Sequence, residues 1–155
     1  MPDMLVRLYD LPPLAPELER LQAQGVTCRR AESFERSAVL AFVQARFPSW
    51  VDETSVAFAH GPIGVFIAVE AGLVVGFACI EAARPNFFGP TGVDDRERGR
   101  GIGKGLLLMS LHAMTGLGYA YAIIGGVGPA GFYERCVGAT IIGGSDPGIY
   151  GGRVR

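Results

Sequence analysis

Residues 98–105 read Arg-Gly-Arg-Gly-Ile-Gly-Lys-Gly and run directly into the apolar stretch Leu106-Leu107-Leu108-Met109. A glycine-rich turn that feeds a buried helix dictates a local architecture, because the first amides of a helix have no partner within it. Those amides sit at the positive end of the helix dipole and make a ready anion site, for which phosphate is the usual guest. Gly99, Gly101 and Gly103 carry no Cβ to hold a ligand off the backbone, and Arg98, Arg100 and Lys104 add positive charge at the same place. A Walker loop is excluded: Arg98 stands where its first glycine is required, and Gly105 stands where a magnesium-binding hydroxyl is needed. A second run, Gly126-Val127-Gly128-Pro129-Ala130-Gly131, fits the dinucleotide pattern, but only 24 residues follow it. That is too few for the rest of a nucleotide-binding half, so this run reads as a turn.

The basic cluster is local, since the net charge of the 155-residue chain is −1. A general nucleic-acid or membrane-surface role is therefore not expected. The first residues have no basic region followed by an apolar one, and the apolar runs are too short to span a bilayer, so a cytoplasmic location is expected. Cys28, Cys79 and Cys136 lack metal-ligand spacing and read as reduced, buried thiols; His60 and His112 have no partner motif. No metal site is expected.

Along the chain, residues 4–9 suggest a short strand, broken off by Pro12, Pro13 and Pro16 before a brief helix at 16–24. Residues 1–24 read as an appended N-terminal arm preceding a domain at 25–155. Its apolar set, Met4, Leu5, Val6, Leu8, Tyr9 and Leu11, must pack somewhere, and edge pairing in a homodimer is one way. Val26–Ala31 reads as a strand. Ser33 is placed to cap a helix with Phe34, Ala38, Ala41, Phe42 and Ala45 on its inner face. Pro48 starts a second helix carrying Trp50, Val51 and Val56. Gly64–Glu70 and Leu73–Ala82, joined by Ala71-Gly72, predict a hairpin. A strand at Phe87–Val93, a helix over 102–115 and a strand at Tyr119–Ile124 follow. After these come a short helix near Ala130–Cys136 and closing strands at Ala139–Ile142 and Ile149–Val154. This order implies an α/β fold, a mixed sheet with helices on both faces.

With the strand, glycine loop, buried helix and second strand in place, and Phe132-Tyr133-Glu134-Arg135 after them, the chain resembles the GCN5-related N-acetyltransferases. Their Arg/Gln-x-x-Gly-x-Gly/Ala motif follows a strand ending in Val; here Val93 is followed by Arg98-Gly99-Arg100-Gly101-Ile102-Gly103. The family's later aromatic pair matches Phe132-Tyr133, with Gly138-Ala139 after it, and the similarity covers roughly residues 26–143. The resemblance implies a mostly antiparallel central sheet, splayed at an acetyl-CoA site. It implies that Arg98, Gly99, Arg100, Gly101, Ile102, Gly103 and Lys104 hold the pyrophosphate of acetyl-CoA. The backbone of Thr91, Gly92 and Val93 would pair with the pantetheine arm. Tyr133 would contact the cosubstrate and act as general acid, with Glu81 as the first choice of general base and Asp94 or Asp95 as weaker ones. An Asn that many members carry seven residues before the Tyr is here Gly126, so that contact is lost or comes from backbone.

The activity so implied is acetyl transfer to an amine of a small molecule or peptide by direct attack. A non-catalytic acyl-CoA sensor and a longer-chain acyltransferase remain alternatives. Phe34, Phe47, Trp50, Glu81, Asn86, Phe87 and Phe88 are the expected acceptor lining, which leans towards a small, partly apolar amine.

Overall fold

The chain turns back on itself at Ala71-Gly72, where both residues take positive φ (+51° and +75°). Two successive left-handed residues match the twist of an antiparallel pair, so they join β3 (Val65–Glu70) to β4 (Leu73–Ile80) in a tight hairpin. The computed structural model describes all 155 residues. Before the hairpin come β1 (Met4–Arg7), α1 (Ala15–Ala23), β2 (Thr27–Arg30), α2 (Arg36–Arg46) and α3 (Val51–Phe58). After it come β5 (Phe87–Val93), α4 (Ile102–Gly116), β6 (Tyr121–Ile124), α5 (Ala130–Val137) and β7 (Thr140–Ile141). The seven strands form one sheet in the order β2-β3-β4-β5-β6-β1-β7, antiparallel at every step except β5 to β6. The expected α/β class, with a mixed and mostly antiparallel sheet, is what the chain adopts.

Strand alternation sends successive side chains to opposite faces, and two cores result. Phe66, Ala68, Ala78 and Ile80 join Leu106, Leu107, Leu108, Leu111 and Met114 of α4 in the larger one, which α1 and α5 complete. Val65, Ile67, Phe77 and Cys79 face Val39 and Val43 of α2 and Ala57 and Phe58 of α3 in the smaller. Helices thus cover both faces of the sheet. No helix is long and apolar enough to cross a membrane.

Four expectations need correction. Residues 1–24 are not an appended arm: β1 lies inside the sheet, antiparallel to both β6 and β7, with Met4 and Val6 fully buried. Both edges of β1 are thereby occupied within the chain, so Met4–Arg7 offers no free edge to a second copy. The folded unit begins at β1 and not at residue 25.

On α2 the buried face is Val39 and Val43, with Leu40 and Phe42 beside it, while Ala38, Ala41 and Ala45 are exposed and Phe34 points out at 84% exposure. Small alanines fit either face of a helix, so their spacing carried no orientation. Ser33 does not cap this helix; Glu32 and Glu35 form a capping box around the short 3₁₀ turn at Ser33–Glu35. Finally, Ile149–Val154 forms no strand, and a 3₁₀ turn at Gly148–Tyr150 takes its place. Glycines at 148, 151 and 152 break any ladder there.

Candidate functional site

β5 and β6 run parallel but pair at only two positions, Phe87 with Ile123 and Phe88 with Ile124. Beyond Phe88 the two strands part. Gly89, at φ +113°, interrupts β5, and the β4–β5 register shifts beside it. A cleft of about 830 Å³ opens in the resulting wedge.

One wall is the far half of β5. Asp94 N–H donates to Val75 O at 2.9 Å, and Gly92 pairs with Phe77. By the two-residue alternation of a strand, the backbone polar groups of Gly92 therefore face β4, while those of Thr91 and Val93 face the cleft. Gly92 must lack a side chain, because a Cβ there would lie 2.6 Å from the ring of Phe47. That ring stacks on Trp50, which lines the cleft, at 5.3 Å.

The wall ends in the turn that starts α4. Gly99 and Gly101 take φ +81° and +84°, a region costly for any residue with a Cβ, and Gly101 is the residue that caps the helix. The first intrahelical bond runs from Gly105 N–H to Gly101 O at 3.0 Å. The amides of Ile102, Gly103 and Lys104 are therefore left without helical partners. Gly99, Gly101, Ile102, Gly103 and Lys104 all border the cleft, as do Thr91, Gly92, Val93 and Arg98.

The basic side chains of this turn differ in their roles. Arg100 does not reach the cleft. It grips both oxygens of Glu70 at 2.7 and 3.0 Å, and also bonds Glu97 and the backbone oxygen of Gln24. These carboxylates hold its guanidinium more firmly protonated, and Arg100 in turn holds Glu70 below the usual carboxylate range. Arg100 thus ties the turn to the end of β3. Arg98 pairs with Asp95 at 2.9 Å, and Lys104 reaches Glu17 of α1 at 3.1 Å while still bordering the cleft.

The opposite wall runs from Ile124 through Gly125-Gly126-Val127-Gly128-Pro129 into α5, and includes Phe132 and Tyr133. The ends of the chain prop it. Gly126 N–H donates to the buried Asp3 carboxylate at 2.8 Å, and Val127 N–H donates to Pro2 O at 2.8 Å. Tyr150 packs its ring against Gly126. The dinucleotide-like glycines are a turn, as expected, and serve here as part of a wall.

Tyr133 is 6% exposed and meets Phe132 and Phe88 edge-on at 5.2 and 6.4 Å. Burial pushes its phenol up to about 12. Every buried side-chain nitrogen and oxygen has a partner, and no protein group bonds the Tyr133 hydroxyl, so that oxygen opens onto the cleft.

Glu81 is not brought to this site. It sits in the turn after β4 at φ +59°, where its carboxylate accepts Asn86 N–H at 3.3 Å, and it lies outside the cleft. Asp94 is outside too. Its carboxylate is held below its ordinary range by Arg96 N–H at 3.1 Å and by the Arg46 guanidinium at 3.3 Å. Of the expected acceptor lining, Trp50, Phe87 and Phe88 border the cleft; Phe34, Phe47, Glu81 and Asn86 do not. Missed by the sequence reading were Glu53, Tyr150 and Arg153, which border the cleft close to one another and come from two separate stretches of chain, α3 and the segment after β7. No motif links them.

No protein-family model and no curated protein sequence matches the chain. Solved structures do. The GCN5-related glucosamine N-acetyltransferase region of a fungal multi-domain GH3 beta-N-acetylglucosaminidase superposes with a TM-score of 0.75 at 20% identity, covering 91% of this chain and 19% of that one. A GCN5-related N-acetyltransferase from Sphaerobacter thermophilus gives 0.69 at 22% identity, over 91% of this chain and 48% of the other. An acetyltransferase of the same family from Brucella melitensis, solved in complex with acetyl-CoA, gives 0.55 at 20%, over 76% and 86%. The chain thus spans less than half the length of the first two. It has the GCN5-related N-acetyltransferase fold.

Proposed function

We propose that, on this fold, the cleft takes acetyl-CoA and passes its acetyl group to a small-molecule amine. The observation that carries the reading is the open edge of β5. Thr91 and Val93 present unpaired backbone groups to the same cavity as the free α4 amides and the Tyr133 hydroxyl. An extended amide chain could add to that edge as a strand does, with its phosphates on the α4 terminus. The acetyl-CoA complex of the Brucella melitensis neighbour supports the same reading.

The chemistry follows from proton accounting. An ammonium acceptor loses one proton before its nitrogen attacks the thioester carbonyl. Attack forms the C–N bond, and collapse breaks the C–S bond and expels a thiolate. The attacking nitrogen sheds its second proton as the amide forms. A phenol held at about 12 remains protonated at neutral pH, so Tyr133 is supplied as an acid. Full transfer to a thiolate whose own pKa is about 8.5 would run uphill. Tyr133 therefore works as a relay, giving its proton to sulfur while receiving the one released by nitrogen. Aromatic walls from Trp50, Phe87 and Tyr150 favour a compact, partly apolar amine over a long basic peptide.

Titration calorimetry with coenzyme A, followed by thiol release from acetyl-CoA across a panel of primary amines, tests the proposal. Micromolar binding and amine-dependent thiol release are expected. No binding at millimolar coenzyme A would overturn it, and binding without release for any amine would leave only an acyl-CoA sensor.

A further inference from the structure

Three carboxylates border the cleft: Glu53, Glu97 and Asp146. Glu97 is committed to Arg100, and Asp146 pairs with the Met1 α-ammonium at 2.9 Å. Glu53 has no such partner; it takes part in none of the ion pairs of the chain. It stands in the first turn of α3, just after Trp50, and borders the cleft beside Tyr150 and Arg153. Its place is fixed from below. The neighbouring Thr54 is fully buried, donates to Trp50 O at 2.8 Å and accepts from the Cys79 thiol of β4 at 3.8 Å.

We infer that Glu53 is the group that binds the acceptor's ammonium and takes its first proton, the role the sequence reading gave to Glu81. This rests on the acetyl-transfer reading above. The acceptor so specified is a primary amine on an aromatic or similarly flat apolar body. Trp50 and Tyr150 line the cleft with aromatic rings, the side chains that attract both such a body and a cation, while Glu53 supplies the counter-charge. In the step, the substrate N–H bond breaks and its proton passes to a Glu53 oxygen; the free amine attacks, and the protonated Glu53 returns the proton to solvent.

The surroundings suit a base better than an ordinary surface acid. Burial raises the Glu53 carboxyl above its usual value, Arg153 opposes this, and Asp52 adds to it. Tyr150 and Cys79 are the other titratable groups facing it, and burial raises both, Cys79 to about 12. Both are therefore neutral through the range in which Glu53 ionises, leaving Arg153 and Asp52 as the charges that tune it.

The test uses the full chain and its Glu53→Gln and Glu53→Asp variants, with tryptamine and the neutral alcohol tryptophol as probes. Coenzyme A should bind all three proteins equally, since Glu53 belongs to α3 and not to the β5 edge or the α4 turn. Failure of the unaltered protein to bind coenzyme A would overturn the acetyl-transfer reading and this assignment with it. In the coenzyme A-loaded protein, tryptamine should bind at least tenfold more tightly than tryptophol. Glu53→Gln should erase that preference. No preference in the unaltered protein, or a preference retained in Glu53→Gln, would overturn the assignment of Glu53 while leaving acetyl transfer intact. kcat/KM should rise with pH through an ionisation that Glu53→Gln lacks and Glu53→Asp restores. A merely structural Glu53 would instead lower the thermal midpoint on substitution; removing an unpaired, half-buried charge should leave it unchanged or raise it.

Discussion

The two walls of the cleft are built in opposite ways. The β5 wall is one continuous stretch, residues 87–104, whose working parts are backbone amides and carbonyls exposed by glycines and by an unpaired strand edge. The β6 wall carries the working side chain, Tyr133, and is held up by contacts from both ends of the chain, Pro2 and Asp3 on one side and Tyr150 on the other. Local, backbone-made structure can be read from a motif. Structure made by distant side chains cannot, because no spacing rule connects residue 3 to residue 126.

The largest effect should come from removing the distant support. Met4, Val6, Leu8 and Leu21 are each no more than 3% exposed. Burying four such side chains contributes about 6–12 kcal/mol at roughly 1.5–3 each, against a typical total stability of about 5–15 kcal/mol. Deleting residues 1–24 should therefore abolish cooperative unfolding followed by circular dichroism. A truncated chain that still melts cooperatively would mean that the β6 wall stands without β1, and the contrast between the walls would weaken.

Next comes the side chain that this wall exists to hold. Tyr133→Phe removes one hydroxyl and leaves the ring packed between Phe88 and Phe132. Turnover should fall roughly 10²–10⁴-fold, the usual contribution of a proton-transfer group, with coenzyme A affinity unchanged by calorimetry. Undiminished turnover with chemistry rate-limiting would reduce Tyr133 to a packing residue, and the β6 wall to a support.

On the β5 wall the corresponding test is a backbone one. A Cβ at Gly101 would meet no atom within 4 Å, so Gly101→Glu should fold, at a cost of about 1–2 kcal/mol for forcing a non-glycine residue to φ +84°. The added carboxylate faces the unpaired α4 amides, and coenzyme A affinity should drop at least tenfold. Unchanged affinity in the folded variant would mean that the phosphates bind elsewhere.

The same contrast explains what the sequence disclosed. The hairpin turn at Ala71-Gly72, β5 and α4 depend on neighbours in the chain, and their expected limits match the structure closely. The interior place of β1 depends on pairing with a strand more than 110 residues away, so a short strand followed by prolines looked like an appendage. Glu81 was chosen for standing at a strand end, but the turn after β4 rotates it out of the cleft to accept Asn86 N–H. Arg100 was chosen for its charge, yet Glu70 at the end of β3 claims it. In each case the deciding partner lies on another element.

Arg100 also gives the smallest expected effect, and the one that most finely separates charge from backbone on the β5 wall. If the basic side chains of the turn act by attracting phosphate, Arg100→Gln should weaken coenzyme A binding as much as any other lost charge. If the wall works through its amides, as the geometry indicates, Arg100 only anchors the turn to Glu70 and Glu97, and its loss should weaken binding no more than severalfold. The pH dependence of stability provides the second readout. Arg100 holds the Glu70 carboxyl below its unfolded value, so this pair stabilises the fold above that value and the contribution is lost as pH falls through the folded one. Arg100→Gln should accordingly flatten the acid limb of a thermal-midpoint profile and leave the midpoint's response near neutral pH unchanged. A large loss of coenzyme A affinity with an unaltered acid limb would show that Arg100 leaves Glu70 for the phosphates, and that this wall depends on side chains as the other does.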